Sequence, residues 1–231
     1  LRRVLLFDID GTLLLTGGAG RRAIQLAMRE AFDIPEAADV PIHGSTDRGI
    51  ARDLFQAHSL IDDLPAWERF REAYLLQLAS ILTTCDGTAL AGVPTLLQRL
   101  VDREGYGLGL LTGNVRQGAR LKLDRYGLTH FFDRHQAEIW GGFGDEHPER
   151  DDVARAAQAG LCRQFGGSDC DDRVWVIGDT PNDIRCARAI GARVIAVATG
   201  ATPLEELAQL KPDAAVPSLA DADAILRLLE A

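Results

Sequence analysis

The stretch VLLFDIDGT (4–12) closes an apolar run with two aspartates, Asp8 and Asp10, two residues apart. Carboxylates at the end of a buried strand are costly to desolvate unless a cation or a hydrogen-bond donor meets them. In open α/β sheets that carboxyl end is where ligands bind. Side chains at i and i+2 of an extended segment face the same way, so both aspartates can point into one site. A second apolar run, LLTGN (110–114), ends in the hydroxyl of Thr112 and the backbone amides of Gly113 and Asn114. A third, VIGDTPND (176–183), ends in Asp179 and, within the first turn of a following helix, Asp183. Up to four carboxylates so crowded repel one another, and a divalent cation is the simplest means of holding them together. An all-oxygen ligand set favours Mg²⁺ over zinc, and Mg²⁺ bound by few carboxylates keeps open positions that suit a phosphate substrate. Each piece alone has an ordinary reading: a DxD surface turn, a TGN turn, or a helix start capped by Asp or Thr with Pro181 behind it.

The elements that must carry these residues follow from the apolar pattern. Strand-like runs are expected at 4–7, 106–114, 136–140, 173–179 and 193–200, with a weaker one at 213–219. Between them, VPTLLQRLVDREG (93–105), VRQGARLKLDRYG (115–127), RDDVARAAQAG (150–160) and PNDIRCARAIG (181–191) carry helical spacing and close on glycine. Strands alternating with helices predict an α/β fold with a doubly wound, Rossmann-like parallel sheet. Residues 16–85 break this rhythm. GAGRRAIQLAMREAF, DRGIARDLFQAH and PAWERFREAYLLQLASIL are helical in period, with small-residue junctions at TGGAG (16–20) and CDGTAL (85–90). The expected organisation is a core of 1–15 and 86–231 with a helical cap, 16–85, inserted over the carboxyl end of the first strand.

Composition excludes other classes. With 231 residues, 46% of them hydrophobic, the chain suits one core plus a small insert. A net charge of −9 argues against nucleic-acid binding, which rests on clustered Lys and Arg. No apolar run approaches the roughly 20 residues that span a bilayer. No basic-then-apolar leader is visible in this chain, which begins at Leu1. Cys85, Cys162, Cys170 and Cys186 show no CxxC spacing and read as reduced thiols. The expectation is a cytoplasmic protein with no nucleic-acid or membrane partner; oligomeric state is not legible.

DIDGT (8–12), LLTGN (110–114) and GDTPND (178–183), in this order, resemble the signature motifs of haloacid-dehalogenase-superfamily hydrolases. GVPTLLQRL (92–100) and YGLTHFFD (126–133) resemble the phosphoglycolate phosphatase and β-phosphoglucomutase branch. The resemblance implies an Mg²⁺-dependent phosphatase acting on a small phosphorylated metabolite. Asp8 would be the nucleophile, forming an aspartyl-phosphate. Asp10 would protonate the leaving oxygen and then deprotonate the attacking water. Thr112 would hydrogen-bond the transferring phosphoryl group, with Gly113 and Asn114 beside it. Asp179, the Asp8 carboxylate and the Asp10 carbonyl would ligate Mg²⁺, and Asp183 would complete the site directly or through water.

One motif departs from the family. The usual lysine between the second and fourth motifs is absent: Lys122 comes too early, in the helix straight after TGN, and Lys211 comes too late. The expected substitute is Arg150 in GDEHPERDDVARAA (144–157), with Arg155 one turn on as competitor. Asp10 disfavours a dehalogenase, which lacks a second aspartate as acid/base, and a cap without lysine disfavours a phosphonate hydrolase. The remaining alternatives are a sugar phosphomutase and a non-catalytic phosphometabolite-binding regulator. Substrate choice is expected from the cap, at His43, Thr46 and Arg48 in PIHGSTDRGIARDLF (41–55), although Ser45, Thr46 or Asp47 could simply cap the following helix. Arg21 and Arg22 beyond the first junction read as a solvated face more than as an anion site.

Overall fold

The computed structural model describes residues 3–133, 139–165 and 173–230. Its main sheet has six parallel strands in the order β5-β4-β1-β6-β7-β8. They are β1 (Arg3–Phe7), β4 (Tyr106–Leu111), β5 (Gly141–Gly142), β6 (Val174–Gly178), β7 (Arg193–Val197) and β8 (Ala214–Val216). A two-stranded antiparallel ribbon, β2 (Leu14–Leu15) with β3 (Thr88–Ala89), lies between the ends of the helical insert and the core. The helices are α1 (Ala19–Phe32), α2 (Asp47–Ala57), α3 (Leu64–Leu82), α4 (Val93–Val101), α5 (Arg116–Arg125), α6 (Arg150–Phe165), α7 (Pro181–Ala189), α8 (Leu204–Gln209) and α9 (Ala222–Glu230).

The period-2 alternation of the strands divides the core between two faces. Leu5, Phe7, Trp175, Ile177, Ile195 and Val197 join one apolar cluster with α4, α5 and α9. Val4, Leu6, Val174, Val176, Val194 and Ala196 join a second with α6, α7 and α8. Strands buried on both faces therefore read as continuous apolar runs. Phe7 meets Phe132 edge-on at 6.1 Å between ring centroids; truncating such a buried ring costs about 3–5 kcal/mol.

Helices α1 to α3 form a third cluster of their own around Ala27, Met28, Leu54, Phe55, Phe70 and Tyr74, joined from the core side by Val115. Their limits follow local chemistry. Asp63 accepts the Ala66 amide at 2.9 Å to start α3 with Pro65 in its first turn, and Thr46 accepts the Gly49 amide at 2.9 Å to start α2.

The order of strands and helices is as expected, with local differences. The strand expected at 136–140 is found at Gly141–Gly142; 136–138 lie outside the described residues, and Ile139 and Trp140 are not in a strand. A Cβ at Gly141 would run into the backbone of Leu110, so glycine there is what lets the edge strand approach β4. Helix α6 runs through Gly160 to Phe165, and the β2–β3 ribbon, α8 and α9 had no distinct sequence expectation. Cys85 and Cys186 are buried free thiols, while Cys170 and the Cys162 side chain lie outside the described residues. Among the described residues no helix is long and apolar enough to cross a membrane.

Candidate active site

Three adjacent central strands, β4, β1 and β6, end together at the point where the strand order turns outward in both directions. Asp8 follows β1, Thr112 to Asn114 follow β4, and Asp179 follows β6. A cavity of about 530 Å³ opens over these ends, lined by Asp8, Asp10, Gly113, Asn114, Arg150 and Asp179 from below and by Arg21, Ile24, His43, Asp47, Ile50 and Tyr74 from α1–α3 and their connections.

At its base, ligand oxygens of Asp8, Asp179 and Asp183 lie within 4.8 Å of one another. Burial pushes Asp8 up to about 6; the neighbouring Arg150 pulls it down, Asp183 and Asp10 push it up, and a Thr112 hydrogen bond lowers it again. Burial likewise pushes Asp179 up to about 8, helped by Asp8 and Asp183 and opposed by the Thr12 hydroxyl, which donates to it at 2.9 Å. A Cβ at Gly11, which sits at φ 87°, or at Gly200 would collide with the Asp179 carboxylate. Glycines at both points keep a pocket open around those oxygens. A set of three buried carboxylates with room left beside it fits a divalent cation with oxygen ligands. Asp183 is the best satisfied of the three. Its Oδ2 accepts the Thr180 amide at 3.0 Å and hydroxyl at 2.7 Å, closing a capping box at the start of α7, and its Oδ1 pairs with Arg150.

Arg150 is 3% exposed. Its guanidinium pairs with Asp183, lies 3.4 Å from Asp8 and donates to the Leu111 carbonyl at 3.3 Å. Burial works to lower its pKa, but Asp183 and Asp8 outweigh that and raise it. Arg155 instead points to solvent and pairs with Asp152 at 2.7 Å.

Thr112 is fully buried, its Oγ1 accepting Asn114 Nδ2 at 2.8 Å. Asn114 also donates through Nδ2 to Asp10 Oδ2 at 2.8 Å, while its Oδ1 accepts the Lys122 ammonium at 2.5 Å. Lys122 reaches Asp10 Oδ2 at 2.5 Å. This placement of Lys122 departs from the sequence expectation, which compared its position with the usual third motif alone. The signal was present: Gly118, Ala119, Lys122 and Leu123 form the buried stripe of α5, so the helical period alone turns Lys122 inward.

Of the cap residues singled out, His43 lines the cavity. Thr46 and Arg48 do not line it. Thr46 is spent on capping α2 and on the Pro148 carbonyl, 2.9 Å away. Arg48 pairs with Asp62 at 2.7 Å and lies over the Trp67 ring. The residue between them, Asp47, faces the cavity, and its Oδ2 accepts the Val115 amide at 2.7 Å. Burial pushes Asp47 up to about 7, against the pull of Lys122 and that amide. Arg21 also lines the cavity, paired with Asp39 at 3.1 Å.

Residues 3–191 match the model of the haloacid dehalogenase-like hydrolases. The chain belongs to this family. It is 28% identical over 227 residues to a phosphoglycolate phosphatase of Aliivibrio fischeri, covering 91% of this chain and 90% of that protein. Among solved structures it resembles a predicted phosphoglycolate phosphatase from Haemophilus somnus, with TM-score 0.65, 21% identity and 98% of each chain covered. It also resembles a putative β-phosphoglucomutase from Thermotoga maritima, with TM-score 0.60, 18% identity and 97% and 98% covered. At such identities the solved structures bear on the fold alone. It is the fold of the branch that the motifs resemble.

Proposed function

We propose that this family member is a phosphatase that hydrolyses the phosphate monoester of a small metabolite through an aspartyl-phosphate on Asp8. The observation that carries the reading is that Asp8 belongs to an oxygen-rich triad with Asp179 and Asp183 and also lies 3.4 Å from the buried Arg150 guanidinium, which pairs with Asp183. The relative named phosphoglycolate phosphatase supports the same class.

In this reading an Asp8 oxygen attacks phosphorus, the bond from phosphorus to the alcohol oxygen breaks, and Asp10 protonates the departing alcohol. Asp10 then takes a proton from water as that water attacks phosphorus, releasing phosphate and restoring Asp8. The Arg150 fork and the Thr112 hydroxyl hold the transferring oxygens, in keeping with a reaction that depends on positioning and charge stabilisation. Asp183, with both oxygens engaged by protein donors, orients Arg150 and would complete the metal site directly or through water. Asp8, Asp179 and the Asp10 carbonyl would hold Mg²⁺, which would neutralise charge on the phosphoryl oxygens and let the carboxylates stand together. The α1–α3 region acts as a cap, closing over the cavity and excluding bulk water. His43, Arg21 and Asp47 are the cap's contributions to substrate choice.

The test is phosphate release from a panel of phosphorylated metabolites that includes phosphoglycolate and hexose phosphates, with Mg²⁺, with EDTA and with Asp8→Asn. Release that needs metal and Asp8 is expected. Turnover that survives D8N would sink the mechanism. Isomerisation of a hexose phosphate with no free phosphate, dependent on a bisphosphate, would make the protein a mutase.

A further inference from the structure

Lys122 is absent from the reaction as written above, yet it is the lysine at the wall of the reaction cavity. It projects from the second turn of α5, a helix that starts directly after the TGN loop, and is 3% exposed. A buried ammonium is sustained only by compensating charge and hydrogen bonds. Asp10 Oδ2 and Asn114 Oδ1 each accept from it at 2.5 Å, and the Asp47 charge acts on it from the α2 side.

The decisive geometry is at Asp10. Its Oδ2 receives two donors, Lys122 Nζ and Asn114 Nδ2, the latter at 2.8 Å. The Asn114 amide cannot be turned around, because its Oδ1 faces a cation and its Nδ2 also serves the Thr112 hydroxyl oxygen. An oxygen facing an ammonium and an amide N–H is the poorer place for a proton. The Asp10 side chain is otherwise 42% exposed, in the cavity.

We propose that Lys122 is the positioning residue of Asp10: with Asn114 it occupies Oδ2, fixes the carboxyl rotamer, and leaves Oδ1 to carry the proton exchanged with the substrate. This rests on the phosphatase reading and deepens it. When phosphorus bonds to Asp8 and the alcohol bond breaks, the Oδ1 proton passes to the alcohol oxygen. When water attacks phosphorus and the aspartyl bond breaks, Oδ1 takes the proton from that water. Lys122 itself loses and gains no proton.

The experiment compares native protein with Lys122→Met and Lys122→Arg on two substrates, an alkyl phosphate turned over by the native enzyme and p-nitrophenyl phosphate. With the alkyl ester, K122M should lose about 100-fold in kcat, a loss typical of general acid–base catalysis, while KM changes by less than about threefold. p-Nitrophenolate leaves without a proton, so K122M should release one equivalent of it in a burst and then stall at the hydrolysis of the aspartyl-phosphate. K122R, which keeps a cation beside Oδ2, should recover most of the alkyl-ester rate. An equal loss on both substrates without a burst would make Lys122 merely structural and overturn the proposal. A raised KM with kcat intact would overturn it in favour of substrate binding. A crystal structure of K122M provides an arm that needs no substrate. Asp10 is expected to leave its native rotamer while Asp8 and Asp179 keep theirs, and an unmoved Asp10 would overturn the proposal. Native protein that is silent on every phosphate would count against the phosphatase reading, and the crystal structure would still decide the placement of Asp10 by Lys122.

Discussion

Asp8 and Asp10 leave the end of one strand two residues apart, and the fold surrounds them differently. Asp8 is 6% exposed, shares its corner with two more carboxylates, and meets the Arg150 guanidinium. Asp10 is outside that acidic triad, half open to the cavity, with one oxygen held by Lys122 and Asn114. In the proposed mechanism the difference separates two jobs that a pair of identical side chains could not otherwise divide. A nucleophile gains from a site built to receive a cation and a phosphoryl group. An acid/base needs a free oxygen and distance from a cluster that would compete for its proton. In that proposal charge environment, not residue type, assigns the roles.

The largest effect that would break this comparison is at Asp8. D8N should lower kcat by about 10⁴-fold or more, since removing a nucleophile abolishes the covalent route. Next is Arg150→Met, which strands Asp183 and Asp8 without their cation. Removing one partner of a buried pair costs about 3–5 kcal/mol, read by urea unfolding, and kcat should fall by about 10³-fold. That loss should come without a burst from either alkyl or aryl phosphates, whereas K122M should release a burst of p-nitrophenolate before it stalls. If both variants showed the burst, or neither did, the division of labour would fail.

A smaller effect is expected at Asp47, the carboxylate that opens α2 on the Asp10 side. Its folded pKa, about 7, stands above the ordinary 3.8. The folded protein therefore keeps a proton that the unfolded chain has already released between those values. The contribution is fully present below about pH 4 and is lost as pH rises through about 7. Asp47→Asn removes this dependence, so the melting temperature of D47N minus that of native protein should rise from about pH 4 to about pH 8. A flat difference would mean that Asp47 stays ionised at no cost to the fold. The smallest effect is at Arg155, exposed and paired only with Asp152. R155A should leave kcat unchanged and stability within about 0.5 kcal/mol, and a large loss would reopen the choice between the two arginines.

The motif residues were legible because each sits at a place local chemistry marks: apolar strand, then carboxylate or hydroxyl, then glycine or a helix cap. Arg150 was legible from order, as the cation opening the helix that precedes β6. Thr46 and Arg48 turn out to serve the fold, since a polar cluster before a helix is equally a cap and a surface pair. Asp47 and Lys122 reach the cavity for the converse reason. One looked like a capping residue and the other like a misplaced motif, and their partners Val115 and Asp10 lie 68 and 112 residues away.

By itself, then, the sequence determined the alternation of strands and helices, the helical interruption at 16–85, and the three strand ends that carry carboxylates and hydroxyl, because these depend on periodicity and on contacts between near neighbours. Only the tertiary structure decided which cation serves which aspartate. Helix α5 turns Lys122 toward Asp10 and α6 turns Arg150 toward Asp8 and Asp183. Side-chain pairing across a cavity is set by the packing of whole helices on the sheet, which no local spacing contains.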